Sequence, residues 1–224
     1  MLYILDTANL DDIKYANEFY PISGVTTNPS IIAKEKTDFW KLIKNIRSII
    51  GPEKMLHIQT TGVKADEIIK EATLLKEKAG GNFYIKIPIC EEGLKATTKL
   101  KEMGINVTIT GIFTPTQALM AAAAGASFVA PYFNRIDNII GNGAFVIEQI
   151  VNQFDLYGFD CKVLAASFKN AWQVNECAAV GCHSVTLTLD TMKSLISHPM
   201  TDAAIAGFDK DWKSVYGDKT ILDF

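Results

Sequence analysis

Asn82-Phe83-Tyr84-Ile85-Lys86-Ile87-Pro88-Ile89 is a short run of apolar, aromatic and β-branched residues with a single lysine inside it. Gly80-Gly81 precedes it and Glu91-Glu92 follows, so the order is turn, buried strand, helix start. Lysine is seldom fully buried. Inside a low-dielectric strand its ammonium is disfavoured and its pKa falls, leaving a neutral amine that can attack a carbonyl. The other reading is a strand-end lysine that pairs with a carboxylate or extends its head into water.

Outward from this stretch the same unit repeats. Strands are expected at residues 2–6, 22–26, 55–60, 105–110, 127–132, 162–167 and 183–188, with the lysine strand fourth. A helix follows each. Asn9 or Asp11 can cap the first, and Pro29 and Pro115 sit where a first helical turn tolerates proline. Gly104 suits the end of the helix at 91–103. After the sixth strand the expectation is a loop and then a helix at 143–156. Eight strand–helix units with near-continuous apolar strands predict a parallel sheet covered on both faces, and eight is the number that closes a (β/α)8 TIM barrel. No linker interrupts the pattern, so one domain over 1–224 is expected. Residues 199–217 remain as an additional C-terminal helix, with Ile205, Phe208, Trp212 and Val215 at helical spacing. That stripe has two open destinations, its own barrel or a neighbouring subunit.

Composition narrows the function. The chain of 224 residues is 48% hydrophobic and 21% charged, with a formal net charge of -3. Such a balance gives no broad electrostatic reason to bind nucleic acid or an anionic membrane. No apolar run is long enough to span a bilayer, and the N-terminal stretch is too short and too poor in basic residues for a signal peptide. Cys90, Cys161, Cys177 and Cys182 form no C-x-x-C, and the three histidines form no H-E-x-x-H, so no metal site is expected. Small buried thiols fit a reducing compartment, and the expected location is cytoplasmic.

In a barrel the active site lies at the C-terminal strand ends. Those ends carry Asp6, Thr26 with Asn28, Gln59, Lys86, Thr110, Tyr132 and Ser167. The eighth, near 186–188, is less clear. Each residue alone has an ordinary role as a cap, a turn or a satisfied hydroxyl. Polar groups at six other strand ends converging on one lysine point to catalysis by Lys86. Arg135, just past Tyr132, could grip a phosphate with help from Ser167, or could pair with Asp137 on the surface.

The runs Gly24-Val25-Thr26-Thr27-Asn28-Pro29-Ser30, Ile85-Lys86-Ile87-Pro88, Ala130-Pro131-Tyr132-Phe133-Asn134-Arg135-Ile136-Asp137 and Leu164-Ala165-Ala166-Ser167-Phe168-Lys169 resemble the small transaldolase family. Within it, Gln59 with Tyr132 resembles the fructose-6-phosphate aldolase branch, where true transaldolases of this size typically carry Glu and Phe. The resemblance implies a cofactor-free class I aldolase with a Schiff base on Lys86. The expected reaction is reversible cleavage of fructose 6-phosphate to dihydroxyacetone and glyceraldehyde 3-phosphate. Tyr132, Gln59 and Thr110 would handle protons with Asp6. Asn28 and Thr26 would bind the donor end, and Arg135 and Ser167 the phosphate. It also implies a homo-oligomer of pentameric rings, a decamer, joined in part by the last helix. The alternatives are a transaldolase that passes a dihydroxyacetone unit between sugar phosphates, an aldolase for another short donor, and a non-catalytic phosphosugar-binding barrel. His57 and Thr60-Thr61-Gly62 depart from the aldolase pattern and bear on acceptor preference.

Overall fold

The computed structural model describes all residues, Met1–Phe224. Eight parallel strands close a barrel in chain order: β1 (Leu2–Asp6), β2 (Ile22–Thr26), β3 (Met55–Gln59), β4 (Phe83–Pro88), β5 (Asn106–Ile112), β6 (Phe128–Pro131), β7 (Lys162–Ala165) and β8 (Ser184–Leu187). The helices between and after them are α1 (Leu10–Phe19), α2 (Pro29–Lys34), α3 (Phe39–Ile50), α4 (Ala65–Ala79), α5 (Glu91–Glu102), α6 (Pro115–Ala123), α7 (Phe133–Asn138), α8 (Gly143–Tyr157), α9 (Ala171–Ala179), α10 (Leu189–Ser194) and α11 (Pro199–Tyr216). The expected TIM barrel with an additional C-terminal helix is the observed fold.

Local chemistry sets the helix starts. Asn9 caps α1 by accepting from the Asp11 and Asp12 amides, so Asn9 rather than Asp11 is the cap. Asp38, Thr114 and Asn170 do the same for α3, α6 and α9. Each such cap contributes about 1 kcal/mol. Gly24 is required by a close approach of β2 to β3, because a Cβ there would lie 2.3 Å from the Met55 carbonyl oxygen.

The sequence expectation fails in one connection. The segment after Tyr132, read as a loop, is the short helix α7, which begins because the Phe133 and Asn134 amides bond the Ala166 and Ser167 carbonyls at 2.9 and 3.0 Å. Those partners lie more than 30 positions away and leave no local signal.

Alternation along the strands divides the apolar residues into two compartments. A cluster of 47 buried residues fills the space between strands and helices, whereas the apolar cluster inside the barrel is only Ile4, Met55, Phe128 and Leu164, with Tyr84 packed on it. The larger compartment therefore supplies most of the hydrophobic stabilisation. From Ile196 to Phe224 every residue is exposed, so α11 does not lay its apolar stripe on its own barrel. The chain end folds back on that helix instead. Trp212 Nε1 donates to the Lys219 carbonyl at 2.6 Å, and the Phe224 ring stands edge-on to Tyr216 at 5.4 Å.

Candidate active site

A cavity of about 720 Å³ opens at the C-terminal ends of the strands. Lys86 projects into it from β4 and is only 7% exposed. Its side chain crosses β3 and donates from Nζ to the Thr27 carbonyl at 2.9 Å, just past the end of β2. Burial pushes the lysine pKa below its ordinary value, and the charge of Asp6 acts in the opposite direction. Lys86 is thus the interior amine of the first reading, and it neither pairs at a strand end nor reaches water.

Asp6 ends β1 and is held by a directed chain of hydroxyls. Thr26 Oγ1 donates to Asp6 Oδ1 at 2.6 Å, and the Thr26 and Thr186 oxygens lie 2.6 Å apart. A hydroxyl has one proton, and that of Thr26 is given to the carboxylate, so Thr186 donates to Thr26. On the other side of the lysine, Thr110 Oγ1 and the Tyr132 hydroxyl are 3.0 Å apart. Gln59 pairs with Lys86 in strand register and lines the same cavity.

Arg135, on α7, lays its guanidinium over the Tyr132 ring at 4.6 Å from the centroid. The surface pair with Asp137 does not form. Asp137 accepts from the Gly143 amide and from Gln173 Nε2, which leaves Arg135 facing the cavity. Ser167 adopts φ +67°, a left-handed backbone that costs a non-glycine residue roughly 1–3 kcal/mol and concentrates at functional sites. Asn28 serves two ends at once. Its Oδ1 caps α2 by accepting from the Ile31 amide at 2.9 Å, and its amide nitrogen stays available at the cavity wall.

Eight of the nine expected residues line this cavity, and Thr110, 2% exposed, reaches it through Tyr132. The eighth strand end, left unclear in the sequence, contributes Thr186. The alternation Ser184-Thr186-Thr188 on the inward face of β8 was the available signal. Lys34 and Lys169 also line the wall and were not singled out. No three His, Cys, Asp or Glu side chains are gathered where they could hold a metal ion, and no helix is long and apolar enough to cross a membrane. An enclosed amine with its proton disfavoured, flanked by a carboxylate and a hydroxyl pair, can add to a carbonyl and exchange protons with the adduct.

Comparison with known proteins agrees with this geometry. The family model described as Transaldolase/Fructose-6-phosphate aldolase matches residues 3–219. A protein from Agathobacter rectalis named "Probable transaldolase" is 42% identical over 220 residues, covering 97% of this chain and 100% of the relative. A protein from Streptococcus pneumoniae named "Probable fructose-6-phosphate aldolase" is 38% identical over 222 residues, covering 99% of this chain and 100% of the relative. The solved structure described as native KDPGal superposes with a TM-score of 0.56 at 16% identity, covering 83% of this chain and 81% of the other, a likeness of fold alone. Buried amine, strand-end polar groups and full-length similarity converge: the chain belongs to the transaldolase/fructose-6-phosphate aldolase family.

Proposed function

We propose that the protein is a Schiff-base aldolase that reversibly cleaves fructose 6-phosphate to dihydroxyacetone and glyceraldehyde 3-phosphate. The observation that carries this reading is Lys86, an enclosed amine whose charged form is disfavoured and whose nitrogen is fixed on the Thr27 carbonyl. Neutral Lys86 adds to the ketone carbon, and loss of water gives an iminium. The bond between C3 and C4 then breaks, its electron pair passing to the iminium as an enamine, while glyceraldehyde 3-phosphate leaves. Tyr132, held by Thr110 and with a water kept by Gln59 and Thr110, carries the C4 hydroxyl proton to the enamine carbon. Water hydrolyses the restored iminium, releasing dihydroxyacetone and the free amine.

Asp6 exchanges protons during dehydration and, with Asn28, orients the donor hydroxyls. Thr26 acts at the donor end with its own hydroxyl committed to Asp6. Arg135 and Ser167 receive the phosphate, the former through its planar donor fork. We read residues 1–224 as one domain working in the cytoplasm, where four free thiols persist. The exposed stripe Ile205, Phe208, Trp212 and Val215 supports assembly into a homo-oligomer, with α11 reaching a neighbouring subunit. A decamer of two pentameric rings is the assembly that the family resemblance implies.

The second reading, a transaldolase that keeps the enamine for a sugar-phosphate acceptor, is favoured by the name of the 42% identical relative. Incubation with fructose 6-phosphate and no added acceptor separates the two. Release of dihydroxyacetone supports the aldolase; an absolute need for erythrose 4-phosphate removes it. Borohydride trapping with dihydroxyacetone, located at Lys86 by mass spectrometry, tests the step that both readings share. A mass increase elsewhere, or none, overturns both.

A further inference from the structure

Beneath the lysine lies a titratable group that the reaction above does not use. His57 precedes Gln59 by two positions on β3, so both side chains point inward, one below the other. It is completely buried in a barrel interior whose next layer is the apolar set Ile4, Met55, Phe128 and Leu164. Barrel interiors are ordinarily filled by branched aliphatic side chains, which makes an imidazole at this depth a costly choice. Its Nδ1 bonds Thr108 Oγ1 at 2.9 Å, and Nε2 has no partner. The Tyr84 ring stacks on the imidazole at 4.5 Å and 12°, fixing its plane.

Position gives this group a specific relation to Lys86. The His57–Thr108 bond joins β3 to β5 and passes inside β4, the strand that carries the lysine. Thr108 is itself the register partner of Lys86 on β5, and Gln59 is its partner on β3. The lysine stem spans from β4 to the Thr27 carbonyl, over β3. Thr27 is held in turn by His57, whose carbonyl accepts from the Thr27 amide at 2.9 Å and from Thr27 Oγ1 at 3.2 Å. His57 therefore lies under the amine with its side chain and anchors the amine's acceptor with its backbone.

We propose that His57, through its hydrogen bond to Thr108, is a positioning residue for Lys86, a polar floor that fixes the amine in place and sets its proton affinity. The imidazole works as a neutral dipole. Burial, reinforced by the nearby lysine charge, pulls its pKa down to about 3, so it carries no charge at any working pH. An apolar floor of the same size deprives the ammonium of nearby polarity and favours the free amine further. The other titratable groups around the lysine are Asp6 on β1, Tyr84 on β4 and Tyr132 just past β6, with Asp12, Lys34, Glu35, Arg135, Lys169 and Asp190 at the mouth. All nine are retained in the variants below, so a change in the lysine's titration reports the floor.

This inference rests on the Schiff-base reading, and the experiment keeps the two apart. The pH profile of borohydride trapping with dihydroxyacetone is measured at Lys86 in the full-length protein, in His57→Phe, in His57→Asn and in Thr108→Val. Phenylalanine keeps the ring and loses the hydrogen bond, whereas asparagine loses the ring and keeps a polar atom where Nδ1 was. The expected midpoint falls by about half a pH unit or more in His57→Phe and Thr108→Val, with kcat down about tenfold at little change in KM. His57→Asn should restore most of the profile. Absence of trapping in the unaltered protein overturns the Schiff-base reading. Normal trapping there, with Thr108→Val and His57→Phe matching the unaltered profile, overturns the positioning role alone. An asparagine variant displaced as far as the phenylalanine one also overturns it, because a polar atom restored at the Nδ1 position would then do nothing for the amine. Should His57→Phe fail to fold, the near-isosteric Thr108→Val decides by the same criterion.

Discussion

The two ends of the barrel interior are built from the same strands and do opposite work. At the lower end Ile4, Met55, Phe128 and Leu164 close an apolar plug. At the upper end the same strands carry Asp6, Gln59 and Tyr132, with Lys86 beside them. A shift of two to four positions along a strand converts a stabilising residue into a polar one. The plug gains from burial, while the upper end withdraws an amine from water and holds Ser167 in a left-handed backbone. A barrel can thus keep stability and chemistry a few residues apart, since inward side chains form separate layers along its axis.

Lys86→Met is the sharpest way to break the comparison. Catalysis should fall below detection while stability rises, each kcal/mol gained moving Tm upward by roughly 2–4 °C for a chain of this size. The sign follows from linkage. Lys86 has a lower pKa folded than unfolded, so the unfolded chain binds more protons between the lowered value and 10.5. The lysine's destabilising effect is complete below that window and fades as pH rises through it. Differential scanning calorimetry of both proteins checks this, and a lower Tm for the variant would contradict it. Phe128→Ala should do the reverse, costing about 3–5 kcal/mol in chemical denaturation while borohydride trapping at Lys86 persists.

Within the upper end the expected effects grow smaller. Tyr132→Phe should favour transfer of the three-carbon unit to acceptors over release, read as the ratio of the two products; an unchanged ratio removes Tyr132 from proton handling. Arg135→Ala should raise KM for phosphorylated aldehydes by about tenfold, and far less for unphosphorylated ones. The smallest effect belongs to Glu71. Its carboxylate accepts from Thr60 and Thr61 hydroxyls and from the Thr61 and Gly62 amides, pinning the loop after Gln59. Partial burial raises its pKa, but those bonds outweigh it and the net shift is downward. The bonds therefore stabilise above the ordinary glutamate range and are lost as pH falls through the lowered value. Glu71→Gln should cost about 1 kcal/mol near neutral pH, and the difference from the unaltered protein should vanish in acid.

Much of this was legible before any coordinates. Near-continuous apolar strands, Asn9 as a cap, and proline at the starts of α2 and α6 are local signals, and each marks an element where the structure has one. Polar residues at strand ends located the cavity because a closed barrel brings every such end to one rim. The failures involve distant partners. Helix α7 depends on carbonyls of the next strand's end, Arg135 was left ambiguous because Asp137's partner Gln173 lies 36 positions away, and Thr186 was left unclear because its partner Thr26 lies 160 positions away.

Alternation, capping and the count of eight were sufficient by themselves to specify a (β/α)8 barrel with an amine among its strands, because all three act over a few residues. Only the tertiary structure decided that this amine rests on the Thr27 carbonyl, that His57 lies beneath it bonded to Thr108, and that α11 leaves its apolar stripe bare. Those outcomes depend on which side chains meet across a closed sheet. The tilt and register of all eight strands fix such meetings together, and no single segment contains them.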